Sequence, residues 1–365
     1  MSCMRSLNNL REKVRKILPL RCKLQAMIWL NVARAIYRRP RGYRNFLLST
    51  ISQMIGSTRA YGHPVSITIE PVNICNLRCP VCETGANILV RKPQMMTYEE
   101  FIKIIDKVGP GANHVMFYYM GETFLNKDVY RMIRHARDMK LYVTTCTNGD
   151  VVDPERLYES GINLVSFQIG GVKQETHSAY RINSNLSRVM DNLSRYLEMI
   201  RLRGRNPGEH QVELGFIVMR HNEGEIEEFL KMADKIGVDR KNIINPCVRT
   251  PQQARDFLPK SDAYWIYERE KFEKGGCLYA KKNYPKNSCP WLYYSITIQV
   301  DGNVVPCCRD PHGRHIVGNL LEQSLEEVWN GPKLRAFRQA VFSNQASMDI
   351  CQLCPGEGLA ALFKG

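Results

Sequence analysis

Three cysteines fall within eight residues in the stretch CNLRCPVC, at Cys75, Cys79 and Cys82. A thiolate can ligate metal or carry redox chemistry, and the number of thiolates separates the possibilities. A structural zinc is closed by four ligands, and a redox Cys-x-x-Cys pair uses two thiols. Three thiolates on one tight loop suit a 4Fe-4S cluster, which normally takes four cysteines, with one iron left open to chelate a small molecule. A second group of cysteines lies far downstream, at Cys277, Cys289, Cys307, Cys308, Cys351 and Cys354. The chain holds 13 cysteines and shows no signal-peptide pattern. No apolar run approaches the roughly 18 residues of a membrane span. It is therefore read as cytoplasmic, where metal or redox chemistry outranks disulfides.

The elements around the first three cysteines alternate. VSITIE (65–70), HVMFYYM (114–120), LYVTTCTNG (141–149), NLVSFQIG (163–170), VELGFIVM (212–219) and KNIINPCV (241–248) read as strands. Between them lie helical patterns. TYEEFIKIIDKV opens with a capping box, Thr97 followed by Glu100, and Asp153-Pro154 places an N-cap before a proline. One helical region runs on to about Arg203, and Asn222 and Glu225 are expected to cap EIEEFLKMADKIG. Six strand–helix repeats predict an α/β fold of parallel strands with right-handed crossovers. When such a sheet curls into a barrel, reactive groups gather at the C-terminal strand ends. CNLRCPVC follows the end of the first strand. From Cys277 the alternation stops, and SITIQVDGNVVPCC reads as a hairpin about Asp301-Gly302. No internal repeat is evident.

Charge is uneven. Residues 1–64 carry thirteen Lys/Arg against Glu12 alone, a net of +12 out of the chain's +15. The segment mixes apolar and basic residues at helical spacing. It reads as a helical extension packed on the main domain, with peripheral contact at the inner membrane face as a further reading. No aromatic-basic pattern points to nucleic acid. Three regions are expected: a basic helical extension (1–64), a barrel (65–250) and a small cysteine-rich domain (251–365).

Cys75-x-x-x-Cys79-x-x-Cys82 at the end of the first strand of a partial (β/α)6 TIM barrel resembles the radical S-adenosylmethionine superfamily. The resemblance implies that the open iron binds S-adenosylmethionine, whose reductive cleavage gives a 5′-deoxyadenosyl radical that abstracts hydrogen from substrate. Other stretches match in order. Met120-Gly121-Glu122-Thr123 stands where the family has Gly-Gly-Glu-Pro, which puts Glu122, with Gly121 beside it, at the cofactor's amino group; the first Gly and the Pro are absent. Thr147-Asn148-Gly149 resembles the family's Thr-Asn-Gly and places Asn148 near the ribose or carboxylate. Ser166 resembles the serine of Ser-x-Asp-Gly, with Gln168 at the Asp position. Tyr180-Arg181 resembles a pair whose arginine, Arg181, meets the cofactor carboxylate. Ile217 and Val218 would pack on adenine.

The tail, with Gly302-x4-Cys307 and Cys351-x-x-Cys354, resembles the SPASM extension of the same superfamily. The resemblance implies one auxiliary 4Fe-4S cluster on Cys289, Cys307, Cys351 and Cys354, with Cys308 an alternative to Cys307. Tetrahedral zinc is the rival occupant. Cys277 and Cys308 are the candidates for returning a hydrogen atom to a substrate radical. The expected activity is hydrogen abstraction from a carbohydrate-like, phosphorylated, nucleotide- or lipid-linked small molecule, ending in oxidation or epimerisation. The reductant would be of the flavodoxin or ferredoxin type. The alternatives are a peptide or protein maturase of the same superfamily and, from another class, a non-catalytic iron–sulfur or zinc protein docking on membrane.

Overall fold

The computed structural model describes residues 40–206, 208–282 and 287–356. The first 39 residues, with most of the basic extension and the proposed membrane contact, lie outside the described residues. Among the described residues no helix is long and apolar enough to cross a membrane.

All six expected strands form: β1 (Ser66–Ile69), β2 (His114–Phe117), β3 (Tyr142–Thr147), β4 (Leu164–Ile169), β5 (Gln211–Ile217) and β6 (Arg240–Ile244). Each pairs in parallel with the next. Helices α2 (Tyr98–Val108), α3 (Val129–Asp138), α4 (Pro154–Glu159), α5 (Gln174–Tyr180), α6 (Leu186–Arg203) and α7 (Ile226–Ile236) alternate with them, after an N-terminal α1 (Pro40–Met54). This is the α/β, partial-barrel arrangement that the alternation predicts. Thr97 and Glu100 form their reciprocal capping box at α2, and Asp153 accepts from Glu155 N and Arg156 N at α4.

Two expectations about helices need correction. Asn222 and Glu225 do not cap α7, for their side chains are committed elsewhere. Asn222 donates to Gly170 O and Ile217 O, while Glu225 accepts from Val172 N and Thr176 Oγ1. Both brace the exits of β4 and β5. The single helical region ending at Arg203 is two helices, because Asp150 takes Ser184 Oγ and Asn185 N and so anchors the break. Asn185 then caps α6 by accepting from Arg188 N.

The tail returns to the sheet. β7 (Ser295–Ile298) lies parallel to β1, followed antiparallel by β8 (Asn303–Val305) and β9 (Gly318–Asn319), giving the order β6-β5-β4-β3-β2-β1-β7-β8-β9. β1 and β7 are the same tetrapeptide, SITI, paired residue for residue from Ser66↔Ser295 to Ile69↔Ile298. That short repeat went unrecognised in the sequence. The isoleucines of both strands enter one core with Phe101, Ile104 and Phe117 of the helix side, while the serines and threonines alternate toward the barrel lumen. The hairpin about Asp301-Gly302 forms as expected. Gly302, at φ +79, could carry no side chain without striking Leu321 and Asn319.

Further helices are α8 (Pro251–Phe257), α9 (Arg269–Gly275), α10 (Trp291–Tyr294), α11 (Leu325–Trp329), α12 (Pro332–Asn344) and α13 (Asp349–Gln352). Arg338 of α12, fully buried, donates to Leu292 O, Thr58 O and Trp329 O and so fastens the segment after α1 to the tail.

At the base of the lumen His114 bridges three strands, its Nδ1 3.2 Å from Ser66 Oγ and its Nε2 2.9 Å from Thr144 Oγ1. Burial pushes this imidazole down to about 4, so it is neutral in the folded chain, whereas the unfolded chain takes up its proton near 6.5. Its stabilising contribution is complete above about pH 6.5 and is lost as the pH falls toward 4, where both states are protonated. Between pH 7 and pH 5 stability measured by chemical denaturation should fall by about 2 kcal/mol on this account. His177 and His210, likewise pushed down to about 4 by burial, add to the fall. A His114→Gln variant should show a shallower acid limb.

Candidate active site

Past β1 the chain turns into the cysteine loop. Leu77 N donates to Cys75 Sγ at 3.4 Å, and Cys82 N bonds Cys79 O at 3.2 Å. Gly85 closes the loop so tightly that a Cβ there would stand 2.5 Å from Cys79 N. Beneath it lies a second core of Leu77, Val81, Tyr180, Met219, Val248 and Tyr267, against which Cys75, Cys82 and Ile217 pack. Residues following β6 therefore pack under the cysteine loop.

Burial pushes Cys75 up to about 12, and the charges of Glu122, Cys82 and Cys79 push the same way. Burial raises Cys79 as well, although Arg181 opposes it. Cys75 and Cys79, each opposed in ionising by a neighbouring thiol, become thiolates together only around a positive metal core, so this set fits the cluster. Among the described residues no three His, Cys, Asp or Glu close on a point as ligands of one ion do. Sulfurs around a single zinc would lie about 3.8 Å apart, given Zn–S near 2.3 Å. Cysteines that each bind a different iron stand wider.

The ends of β2 to β5 supply the rest. Glu122, buried, accepts from Thr147 Oγ1 at 2.7 Å, Asn148 N at 2.8 Å and Phe124 N at 3.3 Å, which welds the end of β2 to that of β3. Burial raises its pKa, while those donors lower it. Asn148 Nδ2 donates to Asn76 Oδ1 at 2.9 Å and lies 4.0 Å from Cys75 Sγ, so Asn148 touches the cysteine loop. The break between α5 and α6 delivers Arg181. Its charge reaches Cys79, Glu122 and Cys146, and its Nε is buried without a partner among the described residues. An orphaned donor beside the cysteine loop fits an anionic group, and the carboxylate of S-adenosylmethionine is one.

Ser166 donates to Glu213 Oε1 at 2.6 Å and accepts from Gln168 Nε2 at 2.6 Å. Asn242 Nδ2 also donates to Glu213 Oε1, at 3.2 Å. Glu213 is a site residue that sequence reasoning missed. The signal was there: a carboxylate between the fully buried Val212 and Leu214 marks the lumen face of a barrel strand. Cys146, in register with Ser166, was also missed as a lumen residue. Its thiol is open to lumen solvent, yet the surrounding barrel pushes it up to about 12, with Glu213 and Glu122 contributing. Ile217 reaches the second core with the cysteines, whereas Val218, one step along the strand, turns into the core on the helix side. The structure does not bring Val218 to the site.

The tail gathers its cysteines as well. Burial raises Cys289, and the charges of Cys307, Cys351 and Cys354 add to it; burial pushes Cys351 up to about 12, with Cys307 and Cys354 contributing. Cys307 and Cys308 hydrogen-bond each other. Lys282 Nζ bonds the carbonyls of Cys351, Gln352 and Cys354, which closes the Cys351–Cys354 turn. The charges of Cys308 and Cys307 both reach Tyr118 and Tyr119, just beyond the end of β2. Cys277 lies elsewhere, exposed on the loop after α9.

Comparison with known proteins places these features. The Radical SAM superfamily model matches residues 69–233, and the SPASM model, an iron–sulfur cluster-binding domain, matches residues 289–355. The AdoMet-dependent heme synthase of Methanosarcina barkeri is 24% identical over 313 residues, covering 77% of this chain and 85% of that protein. The mycofactocin maturase of Mycobacterium ulcerans is 23% identical over 327 residues, covering 82% and 84%. Among solved structures, SuiB of Streptococcus suis bound to its precursor peptide SuiA superposes with a TM-score of 0.58 at 13% identity, over 86% of this chain and 75% of that one. That likeness shows a shared fold. With the three-cysteine loop at the mouth of a partial barrel and the cysteine-rich tail joined to its sheet, the chain belongs to the radical SAM superfamily and carries a SPASM domain, with a 4Fe-4S cluster, S-adenosylmethionine and an auxiliary iron–sulfur cluster as its cofactors.

Proposed function

We propose that this radical SAM enzyme modifies a peptide or protein substrate held in the barrel lumen, with a flavodoxin- or ferredoxin-type reductant. The observation that carries the catalytic part is the convergence of Cys75, Cys79 and Cys82 with Glu122, Asn148 and the orphaned Arg181 Nε. The bound cofactors supply reductive cleavage of S-adenosylmethionine and a radical able to take hydrogen from a C–H bond. The chain's own residues orient and exclude water: Glu122 and Asn148 fix the cysteine loop against β3, and Ile217 with the second core keeps its underside dry.

The relatives support a peptide over the carbohydrate-like substrate that the sequence suggests. The PqqA peptide cyclase of Granulibacter bethesdensis, 24% identical over 75% of this chain, is named for a peptide, and the mycofactocin relative is named a maturase. Whether the product is oxidised or rearranged belongs to the same proposal.

Anaerobically reconstituted protein should hold about eight irons per chain, falling to about four when Cys75, Cys79 and Cys82 are all alanine. The reduced wild type should convert S-adenosylmethionine to 5′-deoxyadenosine, and the triple variant should not. A low-mass extract that stimulates this turnover should lose its effect after protease treatment and keep it after periodate. The reverse pattern would restore the carbohydrate reading.

A further inference from the structure

A guanidinium drawn out of water needs a counter-charge, because desolvation costs several kcal/mol unless the ion is paired. Arg309, half-buried in the tail, has no carboxylate at ion-pair distance among the described residues. Its surroundings are sulfur and carbonyl. The backbone N–H of Arg309 lies 3.4 Å from Cys307 Sγ, and its Nη1 donates to Cys247 Sγ at 3.6 Å and to Leu353 O at 3.1 Å.

Three chain segments meet at this one residue: its side chain reaches the stretch after β6 through Cys247 and the Cys351–Cys354 turn through Leu353, and its backbone N–H reaches Cys307 in the turn after β8. Cys247 is seated in turn by Tyr267, whose hydroxyl lies 3.8 Å from its Sγ. Both belong to the second core on which Cys75, Cys79 and Cys82 pack. Burial works against the guanidinium's charge, and the neighbouring charges of Cys247, Cys354, Cys308 and Cys307 more than offset it. Arginine stays charged in any of these surroundings.

We infer that Arg309 is the fixed counter-charge of the auxiliary cluster, raising that cluster's reduction potential, and that its bond to Cys247 fastens the cluster to the core beneath the first cysteine loop. The inference rests on the cofactor assignment above. A cluster on four thiolates is anionic, and an added electron makes it more so. The guanidinium bonds Leu353 O inside the Cys351–Cys354 turn, and a cation placed beside the ligands in this way favours the reduced form, as outer-shell groups do at metal sites generally. Such a bias suits a centre that receives the second electron of an oxidation.

The test is a redox titration of the full, anaerobically reconstituted chain followed by electron paramagnetic resonance, without substrate. Arg309→Met keeps length without charge, and Arg309→Lys keeps the charge. The Met variant should retain its iron and show the auxiliary reduction equilibrium shifted at least tenfold toward the oxidised form, about 59 mV for a one-electron couple. The other cluster should not move, and the Lys variant should show less than half of that shift. Full iron with an unmoved auxiliary midpoint in the Met variant overturns the inference. If the Met variant loses the auxiliary iron, the Lys variant decides: a wild-type midpoint supports the inference, and a tenfold shift or lost iron overturns it. Iron content and 5′-deoxyadenosine formation by the wild type report separately on the cofactor assignment.

Discussion

Replacing Glu70 by alanine is expected to destabilise the protein by about 3–5 kcal/mol, because it leaves a buried cation without its partner. Glu70 follows β1 and is fully buried. Arg91 Nη1 and Nη2 grip its two oxygens at 2.6 Å each, and Met120 N and Val300 N donate to them at 3.2 and 2.9 Å. Arg91 Nε also bonds Pro311 O at 2.6 Å. One carboxylate thus ties the loop beyond the cysteines, the end of β2, the end of β7 and the tail. Burial raises its pKa, with the Arg91 contacts and the two backbone donors opposing, and Arg91 is held more firmly charged. Four N–H donors aimed at two oxygens leave no acceptor for a carboxyl proton, so we assign the pair as ionised. In thermal unfolding the loss should lower the midpoint by roughly 5 °C for a chain of this length. Replacing both partners by Leu and Met should restore most of the stability, since an apolar pair leaves no orphaned charge. A double variant as unstable as the single one would mean that the backbone bonds, not the ion pair, carry the effect.

Gly121→Ala should cut S-adenosylmethionine cleavage by about 100-fold or more, the scale of a displacement near 1 Å in a reacting assembly. Gly121 sits at φ +94, where a side chain is strained. A Cβ there would stand 2.6 Å from Val72 O and 2.7 Å from Ile74 O. Both obstacles are backbone atoms of the segment leading into Cys75, so they cannot swing aside as a side chain would. Glu122 N, which bonds Ile74 O at 2.9 Å, would move with them. Iron content and 5′-deoxyadenosine formation measure the outcome. Gly276→Ala is the control: it shares a positive φ of 67 but meets nothing within 4 Å, so it should cost only backbone strain and leave turnover near wild type.

What the sequence made legible was local. Strand–helix alternation, the Thr97–Glu100 cap and the cysteine spacing each depend on a few neighbouring residues, and each appears as expected. Glu70 looked like the last residue of an ordinary strand, because its partners Arg91, Met120 and Val300 come from three distant segments. The tail strand was recognised as half of a hairpin, but nothing local says that its other edge belongs beside β1. Arg309 was passed over because a basic residue after two cysteines is unremarkable until Cys247 arrives from the stretch after β6. Val218 was assigned to the site together with Ile217, although alternation along a strand allows only one of two neighbours to face it.

The pairing of β1 with β7 also bears on how the protein comes into being. Glu70 and Val300, which close that pairing, are 230 residues apart in sequence. On the ribosome the strand that launches the radical-generating loop waits, one edge bare, until nearly the whole chain has emerged. A bare parallel edge invites pairing with another chain, and contacts so distant form late. Truncation before residue 295 should therefore yield not a barrel lacking an accessory cluster but an aggregating fragment, with the tail acting as the last stave of the barrel.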